Sequence, residues 1–175
     1  LLVVGRCAMP GTSGAVDPGA RRIVAGAPCN VLVVPENGKL WSRRILVAFD
    51  GSRAAQSAFE FALQIAKPMH LPLTLFSATD REGNLPIAIA DEAELALAAA
   101  RLEGVTAEHV IRSGRIAESI LAAAADAGAD LIVLYRHTRS GLGRALMGSV
   151  SNDVLERADV PVLLCGGDQQ VGSET

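Results

Sequence analysis

Positive charge is scarce in this sequence, and lysine is the scarcest basic residue. The 175 residues include 16 lysines and arginines against 19 acidic residues, a formal net charge of −3, and Lys39 and Lys67 are the two lysines. Nucleic-acid phosphates are normally bound by clustered basic side chains, so this balance argues against a nucleic-acid partner. With 50% hydrophobic and 20% charged residues, the chain has the composition of a globular protein with one substantial core.

Cysteine pairs, long apolar runs and a leader peptide are also missing. The three cysteines, Cys7, Cys29 and Cys165, form no C-x-x-C pair and lie in or beside apolar runs, so we expect reduced thiols packed as small hydrophobic side chains. No stretch approaches the ~20 apolar residues of a membrane span, and the first residues lack a signal-peptide pattern. We therefore expect a cytoplasmic protein without a membrane contact. The run from Leu1 begins without a methionine or a turn, which predicts a chain cut at its start.

Patterns that carry catalysis or metal binding are missing as well. The sequence has no Gly-x-Ser-x-Gly elbow, no Walker-type phosphate loop and no His-x-x-x-His pair. His70 and His109 stand alone near expected strand edges, which is typical of surface or core residues rather than metal ligands. We therefore predict no catalytic residue and no metal ligand, and an enzymatic activity is not expected.

What is present is an alternation of short apolar runs with helix-like stretches. An apolar run followed by Asp-Gly-Ser, as in RRILVAFDGS, is typical of a parallel strand that leads into a helix. Strands of this length alternating with helices predict a doubly wound α/β fold. The expected strands begin near Arg43, Leu71, Thr106, Leu131 and Pro161, and the expected helices are Ser52 to Pro68, Asp91 to Gly104, Gly114 to Asp130 and the stretch SNDVLERAD.

The first 36 residues resemble the last part of the chain. LLVVGRCAMPG aligns with LIVLYRHTRSG, and after a single-residue gap AGAPCNVLVV aligns with ERADVPVLLC. Similar apolar composition alone is the alternative explanation; an internal repeat is the preferred one. The repeat predicts a partial domain over 1–36, a linker over 37–42, a complete domain over 43–166 and a flexible tail over 167–175.

Two stretches resemble the universal stress protein family. They are ILVAFDGS, at the start of the complete domain, and ADLIVLYRHTRSGLGRALMGSVSNDVLERADVPVLL, at its end. The resemblance implies a Rossmann-like five-stranded parallel sheet in the order 3-2-1-4-5, flanked by helices, with an N-terminal strand-helix-strand remnant of a second such domain. It also implies pairing through the last strands, in a homodimer or a tandem pseudo-dimer, and ligands at the carboxyl ends of strands 1 and 4.

Nucleotide-binding members of this family carry Gly-x-x-Gly, nine residues, then Gly and Ser or Thr. Here the first two glycine positions hold Tyr135 and Thr138, whereas Gly148 and Ser149 are retained before a helix start. The substitutions oppose phosphate approach, and the helix start favours it. The candidate cofactor-binding residues are Asp50, Gly51, Ser52, Arg136, Gly141, Gly143, Gly148, Ser149 and Val150.

Two functional hypotheses remain open at this point. The leading one is a stress-response domain that acts by regulated association with an unknown protein partner, and whose nucleotide binding is weak or absent. The other is an ATP- or AMP-binding module, with slow hydrolysis as an option and Mg²⁺ only beside a triphosphate. Asp50 has two interpretations: a contact to the nucleoside, or a carboxylate that stabilises a helix start together with Ser52. We also expect the N-terminal segment to lie against the last strand, in its own chain or a second one.

Overall fold

The computed structural model describes residues 1–6, 18–79, 82–136 and 148–166. Strands and helices alternate along these ranges, as the apolar pattern predicts, except that two strands follow one another within 31–48. In chain order they are β1 (Leu2–Arg6), α1 (Pro18–Gly26), β2 (Val31–Pro35), β3 (Ile45–Ala48), α2 (Arg53–Met69), β4 (Leu73–Ala78), α3 (Ile87–Leu102), β5 (Ala107–Arg112), α4 (Ile116–Ala127), β6 (Leu131–Tyr135), α5 (Ser149–Arg157) and β7 (Val162–Cys165).

The strands form one continuous sheet in the order β1-β2-β7-β6-β3-β4-β5. The five strands β3 to β7 are strands 1 to 5 of the main domain. Read from the far edge, they lie in the order β5-β4-β3-β6-β7, which is the expected order 3-2-1-4-5, and every neighbouring pair is parallel. The α/β class and this sheet order are therefore confirmed. Helices cover both faces, which is why the central strands are apolar on both sides.

Each face of the sheet has its own hydrophobic cluster between the strands and the helices that cover them. The first lies under α2 and α3 and includes Phe59 and Leu97, with Trp41 packed at its margin. The second lies under α1, α4 and α5 and includes Val24, Ile120 and Leu155. The N-terminal segment thus contributes to the same core as the rest of the described chain.

Two helix boundaries differ from the predicted ones. Helix α2 continues through Pro68 to Met69, and its C-cap residue His70 has a left-handed backbone (φ 52°) and an N–H that reaches the carbonyls of Ala66 and Lys67. A proline in the last turn removes one hydrogen bond without preventing that turn. Helix α3 begins at Ile87 behind Pro86, so Asp91 lies one turn inside the helix instead of at its positive end.

The N-terminal segment joins the sheet through β2 and β7, which are antiparallel. Leu32 pairs with Leu163 at the centre, flanked by the pairs Val31 with Leu164 and Val33 with Val162. Leu32 is 6% and Leu163 is 2% exposed. The segment therefore lies against the last strand within its own chain, one of the two expected arrangements.

The registers of the two strand-helix-strand units are the same. Leu2 pairs with Val31 in the first unit, and Ile132 pairs with Val162 in the second. The sequence alignment places Leu2 on Ile132 and Val31 on Val162. The β2–β7 pairing thus relates the two units by a local two-fold axis between Leu32 and Leu163.

Asp130 fixes the segment that enters the main domain. Its carboxylate accepts hydrogen bonds from the backbone N–H groups of Ser42 (2.8 Å), Arg43 (3.0 Å) and Arg44 (3.0 Å). Burial by itself would raise the pKa of Asp130, but these hydrogen bonds and the charge of Arg43 outweigh it and lower the pKa below 3.8. The ionised carboxylate therefore stabilises the fold.

We predict that Asp130→Asn lowers the free energy of unfolding by about 1–3 kcal/mol at pH 7, because three backbone N–H donors lose an ionised acceptor. A lowered pKa contributes stability above the unfolded value of 3.8, and this stability is lost as the pH falls through the folded value. In urea unfolding, the difference in the free energy of unfolding between Asp130→Asn and wild type should therefore become smaller below pH 3.8.

Asp126→Asn is the matched control for this prediction. The Asp126 side chain is 67% exposed and pairs with Arg112 at 2.8 Å. An exposed pair of this kind contributes about 0–1 kcal/mol. A cost for Asp130→Asn equal to that of Asp126→Asn, or one independent of pH, would contradict the assigned role of Asp130.

Candidate functional site

A cavity of about 390 Å³ opens where β3 and β6 end. These are strands 1 and 4 of the main domain, and the crevice between them is where ligands of doubly wound sheets bind. Its volume falls within the range of small-molecule sites. The described lining residues are Ala48, Phe49, Asp50, Ala55, Phe76, Ala78, Ile89, Ile116, Ile120, Leu134, Tyr135, Gly148, Ser149, Val150 and Ser151.

The start of α5 contributes the retained end of the predicted motif. Gly148 is the N-cap residue, with an extended backbone (φ −62°, ψ 153°), and no side-chain hydrogen bond caps the helix among the described residues. Gly148, Ser149 and Val150 line the cavity. The first N–H groups of a helix lack intrahelical acceptors and lie at its positive end. This wall can therefore hold one anionic group.

Asp50 supplies the acidic wall, and its observed hydrogen bonds are those of the predicted helix start. Its Oδ1 accepts a hydrogen bond from the Ser52 N–H (3.0 Å), and the Ser52 Oγ accepts one from the Ala55 N–H (3.2 Å). These contacts are those of a helix start. Asp50 is nevertheless exposed and lines the cavity, and its Oδ2 has no hydrogen-bond partner within the described ranges. One carboxylate oxygen therefore remains for a ligand.

Tyr135 lies at the end of β6 and lines the cavity, as its place in the sequence predicts. It is half-buried and packs against the cluster under α2 and α3. The cavity keeps its volume with this side chain present. Thr138, Gly141 and Gly143 lie outside the described residues, so the contribution of that loop stays a prediction.

Arg136 does not belong to the candidate site, which corrects the predicted residue set. Its side chain is 1% exposed and donates hydrogen bonds to the carbonyl oxygens of Val24 and Ala27, at the end of α1. The guanidinium is thus held on the α1 side of the sheet. Sequence reasoning grouped Arg136 with the loop that follows it, whereas its partners lie more than 100 residues away in the chain.

The apolar walls are the part of the cavity that sequence reasoning missed. Ile89 comes from α3, and Ile116 and Ile120 come from the start of α4. These helices follow β4 and β5, so their starts lie at the same sheet edge as Asp50. The order of strands and helices could have indicated this edge, but no local motif marks the three isoleucines.

A buried polar chain supports the wall at Phe49. The Ser77 Oγ donates to the Phe49 carbonyl (2.6 Å), and the His109 Nε2 lies 2.9 Å from the Ser77 Oγ. Because the single hydroxyl proton is used on Phe49, the His109 Nε2 must be the donor to Ser77. Burial lowers the pKa of His109, although Glu94 acts to raise it. His109 is therefore a supporting residue, consistent with the prediction of a surface or core histidine rather than a metal ligand.

The described residues contain no cluster of three or more side chains suited to a metal ion. Within the same ranges, no helix has the length and apolar character that crossing a bilayer requires.

Fold and site together define a Rossmann-like domain with a ligand crevice at the switch between strands 1 and 4. The model of the universal stress protein family matches residues 42–166. Because this match covers more than half of the sequence, the chain belongs to the universal stress protein family.

Individual relatives agree with this assignment. A universal stress protein of Mycobacterium tuberculosis is 36% identical over 133 residues, covering 69% of this chain and 44% of the relative. The crystal structure of a universal stress protein from Archaeoglobus fulgidus superposes with a TM-score of 0.70 at 25% identity, over 83% of this chain and 53% of that one. A universal stress protein crystallised in complex with cAMP gives a TM-score of 0.60 at 26% identity, over 73% of this chain and 98% of that one. This chain spans about half the length of the first two.

We predict that Gly51→Ala destabilises the protein more than Gly83→Ala. Both glycines have positive φ, +74° and +84°, which costs other residues about 1–2 kcal/mol. At Gly51 an added Cβ would also lie 3.3 Å from the Ile89 Cα, whereas at Gly83 it meets nothing within 4 Å. Overpacking should add about 1 kcal/mol at Gly51 in thermal or urea unfolding. Equal losses of unfolding free energy in the two variants would show that the turn after Asp50 does not pack against α3.

Proposed function

We propose that this chain is a stress-response domain whose cavity binds an adenine nucleotide with a single phosphate group, open or cyclic. The observation that carries the proposal is the cavity itself, which brings the Asp50 carboxylate and the start of α5 into one apolar crevice. The relative crystallised with cAMP supports a ligand of this class.

Each wall of the cavity matches one part of such a ligand. The apolar side chains of Ile89 and Ile116 suit the faces of a purine base. Asp50 Oδ2 can accept hydrogen bonds from ribose hydroxyls. The N–H groups at Ser149 and Val150 suit the phosphate, since helix starts bind anions.

The charge of the cavity favours one phosphate over three. None of the described lining residues is a lysine or an arginine, and Arg136 is engaged at α1. In a neighbouring cavity, Arg115 and Arg157 both pair with Glu118, at 3.4 and 3.5 Å. Triphosphate binding usually needs basic side chains or Mg²⁺ to offset its charge. ATP with Mg²⁺ is thus the weaker candidate.

Regulated association without nucleotide is the second candidate function. The β2–β7 pairing supports the tandem form of this candidate, because the N-terminal unit occupies the strand edge through which a homodimer would otherwise form. In this view the partial domain over 1–36 completes a tandem pseudo-dimer with the domain over 43–166, and a protein partner binds elsewhere.

We also propose a cytoplasmic location. Its support is the free thiols Cys29 and Cys165, the second with its pKa raised to about 12 by burial.

The proposal is tested by calorimetric titration of the nucleotide-stripped protein with AMP, cAMP and ATP. We expect AMP or cAMP to bind with a dissociation constant below ~1 mM, and ATP to bind more weakly without Mg²⁺. Gly148→Val should weaken AMP binding at least ~10-fold, a difference of about 1.4 kcal/mol, because its side chain would enter the crevice. The backbone at Gly148 tolerates a side chain, with nothing within 4 Å of an added Cβ.

Gly5→Val is the matched control, since Gly5 also has open space around an added Cβ but lies on β1, away from the cavity. Its AMP affinity should equal that of wild type. If none of the three nucleotides produced heat with wild-type protein, the nucleotide proposal would be wrong, and association alone would remain.

A further inference from the structure

Two arginines tie the two strand-helix-strand units together in opposite directions. Arg6, at the end of β1, donates to the carbonyl oxygens of Leu155 and Ala158 at the end of α5, the second at 2.7 Å. Arg136, directly after β6, donates to the carbonyl oxygens of Val24 and Ala27 at the end of α1, the second at 2.6 Å. We call these contacts the Arg6 clasp and the Arg136 clasp.

The two clasps are equivalent under the local two-fold axis. The sequence alignment that places Arg6 on Arg136 also places Val24 on Leu155 and Ala27 on Ala158. Each arginine therefore caps the same two carbonyl positions of the helix in the opposite unit. The last carbonyls of a helix lack intrahelical partners and lie at its negative end, so a guanidinium satisfies both the hydrogen bonds and the charge.

The surroundings of the Arg136 clasp leave room for its guanidinium. An added Cβ at Gly166 would lie 2.8 Å from the Arg136 Nε, so glycine there leaves room for the buried guanidinium. The helices α1 and α5 are further joined by the Arg21–Glu156 ion pair. Contacts of this kind fix the direction in which α5 runs across the sheet.

The direction of α5 matters because its other end forms the cavity. The helix has nine residues and so spans roughly 13 Å. The Arg6 clasp holds its last turn, and Gly148 and Ser149 at its first turn line the crevice. The hydrogen bonds of a helix form cooperatively, so loosening of the last turn of a short helix also weakens the turns before it. Displacement at the clasped end therefore shifts the N–H groups at the cavity.

We propose that Arg6 is a positioning residue for the crevice: from the N-terminal unit, it sets the position of the ligand-binding end of α5. The part of this inference that concerns affinity rests on the proposed nucleotide function. Because binding equilibria are reciprocal, a ligand held at the start of α5 also strengthens the contact of the N-terminal unit with α5. Pairing of the two units and ligand binding in the crevice are thus thermodynamically coupled.

The test compares Arg6→Met with Arg6→Lys and with the control Arg22→Met. Methionine keeps the apolar stem and removes both donors, whereas lysine keeps the charge and part of the hydrogen bonding. Arg22 is an exposed arginine of α1, in the same N-terminal unit. AMP affinity is measured by calorimetry.

Amide hydrogen exchange supplies the readout that needs no ligand. The Ala158 N–H bonds to the Val154 carbonyl (2.8 Å) beside the clasp, and the Asn152 N–H bonds to the Gly148 carbonyl (3.1 Å) beside the cavity. We expect Arg6→Met to raise exchange at both amides severalfold and to weaken AMP binding about 5- to 10-fold, at the low end of the usual range of coupling between sites. Arg6→Lys should lie between Arg6→Met and wild type, and Arg22→Met should match wild type.

Slower hydrogen exchange at the Leu32 amide with saturating AMP, in wild type but not in Arg6→Met, would further support the coupling. Faster exchange confined to Ala158, with Asn152 and the AMP affinity unchanged, would overturn the inference and leave Arg6 a local cap. If wild-type protein bound no nucleotide, the proposed function would fail separately. The Asn152 exchange of Arg6→Met would then decide the positioning role: faster exchange supports it, and unchanged exchange overturns it.

Discussion

The antiparallel pairing of β2 with β7 is the interaction on which the rest of the structure depends. Without it, β7 would present an apolar edge with unpaired backbone groups, and the second hydrophobic cluster would lose Val24, Val31 and Val33. With it, one sheet of seven strands carries both units and all described helices. Burial of Leu32 against Leu163 lies at the centre of this pairing.

The same pairing places the two arginine clasps and, through α5, one wall of the crevice. Arg6 reaches α5 only because β1 and β2 extend the sheet beyond β7. The crevice therefore combines parts that belong to the main domain, Asp50 and the isoleucines, with a helix whose far end is held by the N-terminal unit. The pairing of the two units and the proposed ligand crevice thus share a structural element, helix α5.

The sheet order and the position of the crevice could be predicted because they follow from alternating strands and helices and from a family-level motif. The direction of the Arg136 side chain could not be predicted, because its acceptors are the backbone carbonyls of Val24 and Ala27, and no residue type in the sequence marks a backbone acceptor. The start of α3 was misplaced because the acidic residues from Asp91 onward resemble a first turn, while Pro86 begins the helix earlier. The compatibility of Tyr135 with an open cavity depends on packing against α2, which local sequence does not show.

Isotope-filtered NMR on an equal mixture of two differently labelled protein samples tests the central claim most directly. The observable is the set of cross-strand contacts between Leu32 on β2 and Leu163 on β7. The structure predicts that these contacts occur within single chains and do not change on dilution. Contacts detected between differently labelled chains, or no contacts at all, would contradict the pairing of β2 with β7 within one chain.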